Sequence, residues 1–208
     1  RINGQRPPAR NHPDPVECRL NGICQRARIA RWLRAPPPVF DPTRPIETAL
    51  TFEIQTNQPL FPAERLRAIG GFQASLRWHE DIDLNLRLVL AGARYVPVDE
   101  PLVLFRDHDE PGRQRYAPGV ATGRIAAEKH MIGAVRDAGL WSPEIARLFA
   151  DRLAYAARAA WLAGEGDAAQ ETFAVARSFS RRPRATRVPL YNAASELLGF
   201  ERTERWLS

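Results

Sequence analysis

The chain has 208 residues, of which 44% are hydrophobic and 26% are charged, and these values exclude a largely disordered protein. The length suits one domain with an appendage or two small domains. Lys129 is the single lysine, so the formal charge of +6 comes from arginines. These arginines are spread among carboxylates, which argues against a nucleic-acid interface with its concentrated cationic stripe. Codon bias and a phosphate-bearing small ligand both remain open as explanations.

Residues 1–45 are rich in proline, and we expect an irregular connection with one short helix over residues 23–33. Cys18 and Cys24 have neither a second cysteine pair nor histidines at finger spacing, so they are expected to be free thiols in a reducing compartment. No apolar run reaches the length of a membrane span, and the first ten residues carry neither an initiator Met nor a signal-peptide core. The chain is therefore expected to be part of a longer or processed protein.

Strand and helix patterns alternate from residue 48 onward. Leu50, Phe52 and Ile54 alternate with other residues, which predicts a half-buried strand. The segment "PAERLRAIGGF" predicts a short helix that the Gly-Gly pair ends. A helix over about residues 80–91 and strands in "ARYVPV" and "PLVLFR" follow. This order is typical of an α/β fold.

Beyond about residue 120 the pattern is helical throughout. Gly139 is expected to end one helix, and Ser142, followed by proline and glutamate, to cap the next. The stretch "AWLAGEGDAAQETFAVARSFSRRP" resembles one tetratricopeptide unit. Because one unit cannot bury its own faces, we expect an accessory helical cap or a short array, and a protein partner for this region is left open.

Three carboxylates, Glu80, Asp81 and Asp83, stand at the start of the helix predicted over residues 80–91. Acidic side chains in a first turn gain about 0.3–1 kcal/mol from the helix dipole, and Asp83 can pair with Arg87 at i,i+4. When the cluster is taken alone, these structural roles explain it better than catalysis does.

The segments that surround the cluster favour a catalytic role. Three of them, "LFPAERLRAIGGF", "EDIDLNLRLVLAG" and "VPVDEPLVLFRDH", resemble in order and spacing the carboxyl-terminal half of family-two, inverting glycosyltransferases with the GT-A fold. The resemblance covers residues 48–113. It implies an α/β fold in residues 1–118, as the acceptor-side half of a GT-A domain without its nucleotide-binding half. A tetratricopeptide-like, all-α region over residues 119–208 would follow.

The resemblance also implies roles for individual side chains. Asp81 would take the proton of the acceptor hydroxyl, and Glu80 would orient that carboxylate or touch the acceptor. The loop that begins at Gly71 would border the acceptor pocket, and Trp78 would offer a face for a sugar ring. A tryptophan in the core is the ordinary alternative.

Cations and a metal would stabilise the departing diphosphate. Arg106 and Arg113 are the candidate contacts, with a solvated surface role as the alternative. His108 is the candidate metal or phosphate ligand, and a plain loop histidine fits its position equally well. Mg²⁺ or Mn²⁺ is implied as cofactor, although the Asp-x-Asp motif that holds it in the family is not present in this sequence.

The expected activity is transfer of a sugar from a nucleotide-diphosphate donor to a glycan or lipid-linked acceptor with inversion, carried out by the complete protein. The alternative is a non-catalytic helical interaction protein with a degenerate α/β scaffold. We expect a cytoplasmic location, and association with the inner face of a membrane is left open.

Overall fold

A computed structural model describes residues 17–24, 41–51, 54, 56, 59–104 and 119–207. For residues 17–24, 97–104 and 207 it describes the backbone alone. The helix predicted over residues 23–33 lies outside the described residues from position 25 onward. Cys18 and Cys24 lie in a strand rather than in the expected loop.

The described part of the chain contains eight helices and three strands. The helices are α1 (Pro45–Thr51), α2 (Ala63–Ala68), α3 (Glu80–Leu90), α4 (Val120–Asp137), α5 (Pro143–Leu162), α6 (Gly166–Phe179), α7 (Pro189–Leu198) and α8 (Phe200–Leu207). The strands are β1 (Glu17–Cys24), β2 (Pro59–Leu60) and β3 (Arg94–Leu104). β1 lies between the other two, antiparallel to β2 and parallel to β3.

The predicted α/β fold, as part of a GT-A domain, is wrong for the described residues. Where side chains are described, 67% of residues are helical and 4% lie in strands. The backbone ladder joins β1 to a two-residue β2 and to β3, which is too little to form the sheet layer of an α/β domain. The predicted boundary between residues 118 and 119 stays a prediction.

One cause of the error is the stretch beginning at residue 48. It was predicted as a strand, but α1 already covers residues 45–51. Its buried side chains Ile46, Ala49 and Leu50 follow the i, i+3, i+4 spacing of a helix. Leu50 and Ile54 satisfy both periodicities, so alternation over three positions could not separate strand from helix.

Helix α3 lies at the centre of the fold. Every residue from Ile82 to Leu86 is buried, and α3 packs against both α1 and α4. Its predicted bounds are confirmed to within one residue, with Gly92 in the left-handed region just after its end. The two predicted strands after it form one continuous strand, β3.

Helices α4 to α6 pack in sequence, and side chains at their ends join them. Ser142 caps α5 as predicted, its Oγ accepting from the amide of Ile145 at 3.3 Å. Glu165, just before α6, accepts from the amide of Gly119 at 2.7 Å and from the hydroxyl of Thr122. The start of α4 is thereby fixed to the α5–α6 turn. No helix among the described residues combines the length and apolarity needed to cross a bilayer.

Candidate functional site

The entry to α3 is formed by a residue in an unusual backbone conformation. His79 has a φ of 57° and is the single non-glycine residue with positive φ in the described ranges. Its carbonyl accepts from the amide of Asp83 at 2.9 Å. This turn sends the chain sharply into the helix, so that Trp78 stands outside α3 while Glu80 and Asp81 begin its first turn.

Asp83 is fully buried and is fixed from two sides. Its Oδ2 accepts from Arg87 Nε at 2.8 Å, as the i,i+4 spacing predicted, and its Oδ1 accepts from His130 Nδ1 of α4 at 2.7 Å. A carboxylate with both oxygens occupied and no exposed surface cannot reach a substrate. Asp83 is therefore a structural residue that joins α3 to α4.

Arg87 extends this anchor to the turn after α2. Its Nη1 donates to the carbonyl of Ile69 at 2.9 Å and its Nη2 to the carbonyl of Gly71 at 2.7 Å. Gly70 and Gly71 have φ values of 76° and 67°, as expected for a glycine-ended helix. Gly71 is thus held against α3 through its backbone, close in the fold to the acidic turn.

A second buried carboxylate, Glu128 of α4, joins four elements. Its oxygens accept from Arg152 of α5 at 2.7 and 2.5 Å, and Oε1 also accepts from His79 Nδ1 at 3.2 Å. Arg152 donates in turn to the carbonyl of Leu50 in α1. Burial alone would raise the pKa of Glu128, but the charges of Arg152 and His79 outweigh it and hold that pKa below its usual range.

Asp81 differs from both of these carboxylates. It is half-buried at the first turn of α3, where Oδ1 accepts from the amide of Ile82 at 2.8 Å. Within the described ranges it forms no ion pair. Burial raises the pKa of Asp81 above its usual range, and the adjacent charge of Glu80 adds to that change. The Ile82 amide and the charge of His79 oppose it.

Trp78 stands beside this turn with 38% of its surface exposed. Its indole covers Gly123 of α4 so closely that a Cβ at position 123 would lie 2.4 Å from Trp78 Cδ1. The ring is therefore packed on a helix through one part and open to solvent through the rest. That arrangement combines the two roles weighed from the sequence, core packing and an exposed aromatic face.

The last three predicted site residues, Arg106, His108 and Arg113, lie outside the described residues. In the part of the chain that the structure describes, no group of three histidine, cysteine or acidic side chains could hold a metal ion. The described residues thus provide no fit for Mg²⁺ or Mn²⁺, and we derive no step through a metal.

Comparison with known proteins does not assign the chain to a family. No family model matches it, and neither a curated protein nor a solved structure does. The resemblance to family-two glycosyltransferases consequently depends on the quoted segments alone.

Sequence reasoning missed the residues that support the acidic turn, which are His79, Asn85, Glu128, His130 and Arg152. Glu128 carried a usable signal, because it lies three residues after Ile125 and four before Ile132, on the stripe that these buried residues define. A carboxylate on a core-facing stripe requires a buried partner. Asn85 gave no comparable signal, although its Nδ2 donates to the carbonyls of Ile54 and Asp81 at 3.0 and 2.7 Å.

Proposed function

We propose that this chain provides the acceptor side of an inverting glycosyl transfer, with Asp81 as the general base. The observation that carries the proposal is the contrast among the buried and half-buried carboxylates at α3. Asp83 and Glu128 are occupied by cations, whereas Asp81 has an open side, forms no ion pair in the described ranges and has a raised pKa although the charge of His79 acts to lower it. A base works best when its pKa approaches the working pH.

The proposed reaction requires Asp81 to accept one proton. As the acceptor oxygen forms its bond to the anomeric carbon, its proton passes to a carboxylate oxygen of Asp81. The bond from that carbon to the diphosphate oxygen breaks on the opposite face, and its electron pair leaves with the nucleoside diphosphate. One displacement inverts the anomeric carbon, so a single base suffices.

The neighbours of Asp81 suit an acceptor sugar. Trp78 offers a partly exposed ring next to the turn, and stacking on an aromatic face favours the C–H surface of a sugar. Glu80 lies beside Asp81 and helps to keep its pKa high. The Asp83–Arg87 pair holds Gly71 and its loop against α3. In this proposal, donor binding belongs to a nucleotide-binding half, as the resemblance implies, and Arg106, His108 and Arg113 remain candidate contacts.

The test compares two matched substitutions in the full-length gene product. Release of nucleoside diphosphate from a panel of nucleotide sugars is measured with sugar and lipid-linked acceptors. We expect Asp81→Asn to lower kcat at least about a hundredfold, as loss of a general base does. Asp137→Asn removes an exposed carboxylate at the end of α4 and should leave turnover unchanged. Turnover by Asp81→Asn equal to that of the unmodified protein would exclude the base assignment.

One observation favours a second role, binding through the helical region. Leu190 and Leu197 of α7 are 77% and 83% exposed, which is unusual for two leucines on one short helix. A binding role for this region is compatible with glycosyl transfer, and it does not require the rest of the chain to be inactive. A cytoplasmic location at the inner face of a membrane would fit both proposals.

A further inference from the structure

Helix α7 presents an apolar face to solvent. Leu190 and Leu197 are seven positions apart and thus lie on the same side of the helix, with exposed Ala193 between them. We call these three residues the outer face of α7. The apolar side chains of a short surface helix normally point to the core, so this arrangement is reversed.

The opposite side of α7 fixes the helix in place. Tyr191 and Ser195 are buried there, and the hydroxyl of Tyr191 donates to Glu204 of α8. Burial and this carboxylate raise the pKa of Tyr191 well above its usual range, so the hydroxyl remains a donor. Arg158 of α5 lies over the Tyr191 ring at 5.0 Å. Because the inner side is anchored, the outer face cannot turn inward without breaking these contacts.

A cationic segment lies immediately before α7. Residues 177–187, here called the arginine turn, contain five arginines, and no acidic residue occurs between positions 172 and 195. Every one of these arginines is exposed. The local charge density is therefore far above that of the chain as a whole.

The arginine turn is held along the side of α7. The Asn192 side chain accepts from the amides of Ala185 and Thr186 at 3.1 and 3.3 Å. Arg182 pairs with Glu196 at 2.7 Å, one residue before Leu197. The pair with Glu196 places the guanidinium group of Arg182 at the border of the outer face.

Three of the arginines are available for a partner. Arg182 pairs with Glu196, and Arg184 pairs with Asp151. Arg177, Arg181 and Arg187 have no carboxylate partner among the described residues. Their charge is consequently not neutralised within the described fold.

We propose that the arginine turn and the outer face of α7 bind the surface of an anionic lipid bilayer. Basic side chains beside exposed apolar ones are the combination that associates with such surfaces, since the charges meet acidic headgroups and the leucines enter the boundary of the acyl region. Helix α8 repeats the combination, with Trp206 73% exposed and Arg202 one turn before it. This inference is independent of the proposed glycosyl transfer.

A second copy of the chain fits this surface less well. Self-association through the outer face would bring two arginine turns together, and like charges across an interface cost free energy. Two leucines on a ten-residue helix also provide much less apolar surface than a stable dimer buries. The charge of the arginine turn favours an anionic surface instead.

The test is co-sedimentation of the 208-residue chain with vesicles of pure phosphatidylcholine and with vesicles containing about one third phosphatidylglycerol. We expect binding to the anionic vesicles alone, falling as the salt concentration rises. Arg181→Gln with Arg187→Gln should weaken it roughly thirtyfold, about fivefold for each charge. Leu190→Ser with Leu197→Ser should weaken it at least about tenfold.

The matched control substitutes an exposed leucine and an exposed arginine elsewhere, Leu60→Ser with Arg67→Gln, and should bind the vesicles as the unmodified chain does. Circular dichroism checks that each variant remains folded. Failure of the unmodified chain to sediment with anionic vesicles would overturn the proposal. So would equal binding by the leucine variant, or leucine-dependent self-association in sedimentation velocity without vesicle binding, which would indicate a protein partner.

Discussion

Charged side chains have opposite environments in two regions of this molecule. Around α3 and α4 the carboxylates Asp83 and Glu128 are buried, and each has cationic partners. At the arginine turn the charges lie on the surface beside exposed leucines, and Arg181 and Arg187 have no carboxylate partner among the described residues. Buried charges with ion-pair partners stabilise the fold, whereas exposed charges without such partners are available to bind another molecule.

Asp81 lies in the first region, but like Arg181 and Arg187 of the second region it forms no ion pair within the described residues. It shares the helix α3 with Asp83 and lies two residues away, yet it forms no ion pair within the described part of the chain. The two carboxylates should therefore differ in their contribution to stability. Replacing Asp83 should damage the fold, and replacing Asp81 should not.

The largest effect is expected at the buried pair. Asp83→Asn removes the negative charge shared by the nearly buried Arg87 and His130, and the amide oxygen can replace only one of the two acceptors. Breaking such a pair from one side should lower the free energy of unfolding by about 3 kcal/mol. Urea denaturation measures this change, with Asp137→Asn as the exposed control. Equal stability of the two variants would mean that the Asp83 contacts do not hold α3.

A smaller effect is expected where Trp78 meets α4. Gly123→Ala places a methyl group on the indole and should displace it, cancelling the gain of about 1 kcal/mol that alanine brings to a helix. Gly133→Ala on the same helix meets no atom within 4 Å and should realise that gain. Thermal unfolding compares the two, and fluorescence after replacement of the other four tryptophans reports on Trp78. Stabilisation by both substitutions with an unchanged Trp78 spectrum would contradict the close packing.

The smallest effect is expected on the outer face of α7. Leu190→Ser and Leu197→Ser remove side chains that contact mainly water, so the free energy of unfolding should change by less than about 0.5 kcal/mol. Urea denaturation of the chain without lipid measures it. A loss comparable to that of Asp83→Asn would show that these leucines belong to the core.

Much of the helical part could be predicted from the sequence, because its signals are local. Ser142 with the following proline and glutamate marks the start of α5, and Gly92 marks the end of α3. The cluster of Glu80, Asp81 and Asp83 was also visible as a helix start. Local signals of this kind depend on a few neighbouring residues, and tertiary contacts seldom override them.

Neither the fold class nor the different roles of the individual carboxylates could be predicted from the sequence. Three alternating apolar positions, Leu50, Phe52 and Ile54, gave no decision between strand and helix. The sequence likewise gave no reason to distinguish Asp81 from Asp83. Only the fold brings His130, which is 47 residues away in the sequence, beside Asp83. The acidic cluster could be identified from the sequence. Which of its carboxylates remains without an ion pair depends on contacts between residues that are distant in the chain.

The central claim is that burial outweighs the nearby charges at Asp81, which forms no ion pair within the described residues, and the pKa of Asp81 tests this directly. Carboxyl-carbon NMR of the folded chain should give Asp81 a pKa above the ordinary value of 3.8. Because a raised pKa means that the folded state binds the proton more tightly, the stability from this group is full below the unfolded pKa. It is lost as the pH rises through the folded pKa. A pKa at or below 3.8 would show that hydrogen bonds and nearby charges outweigh burial at Asp81, and would contradict its role as the available base.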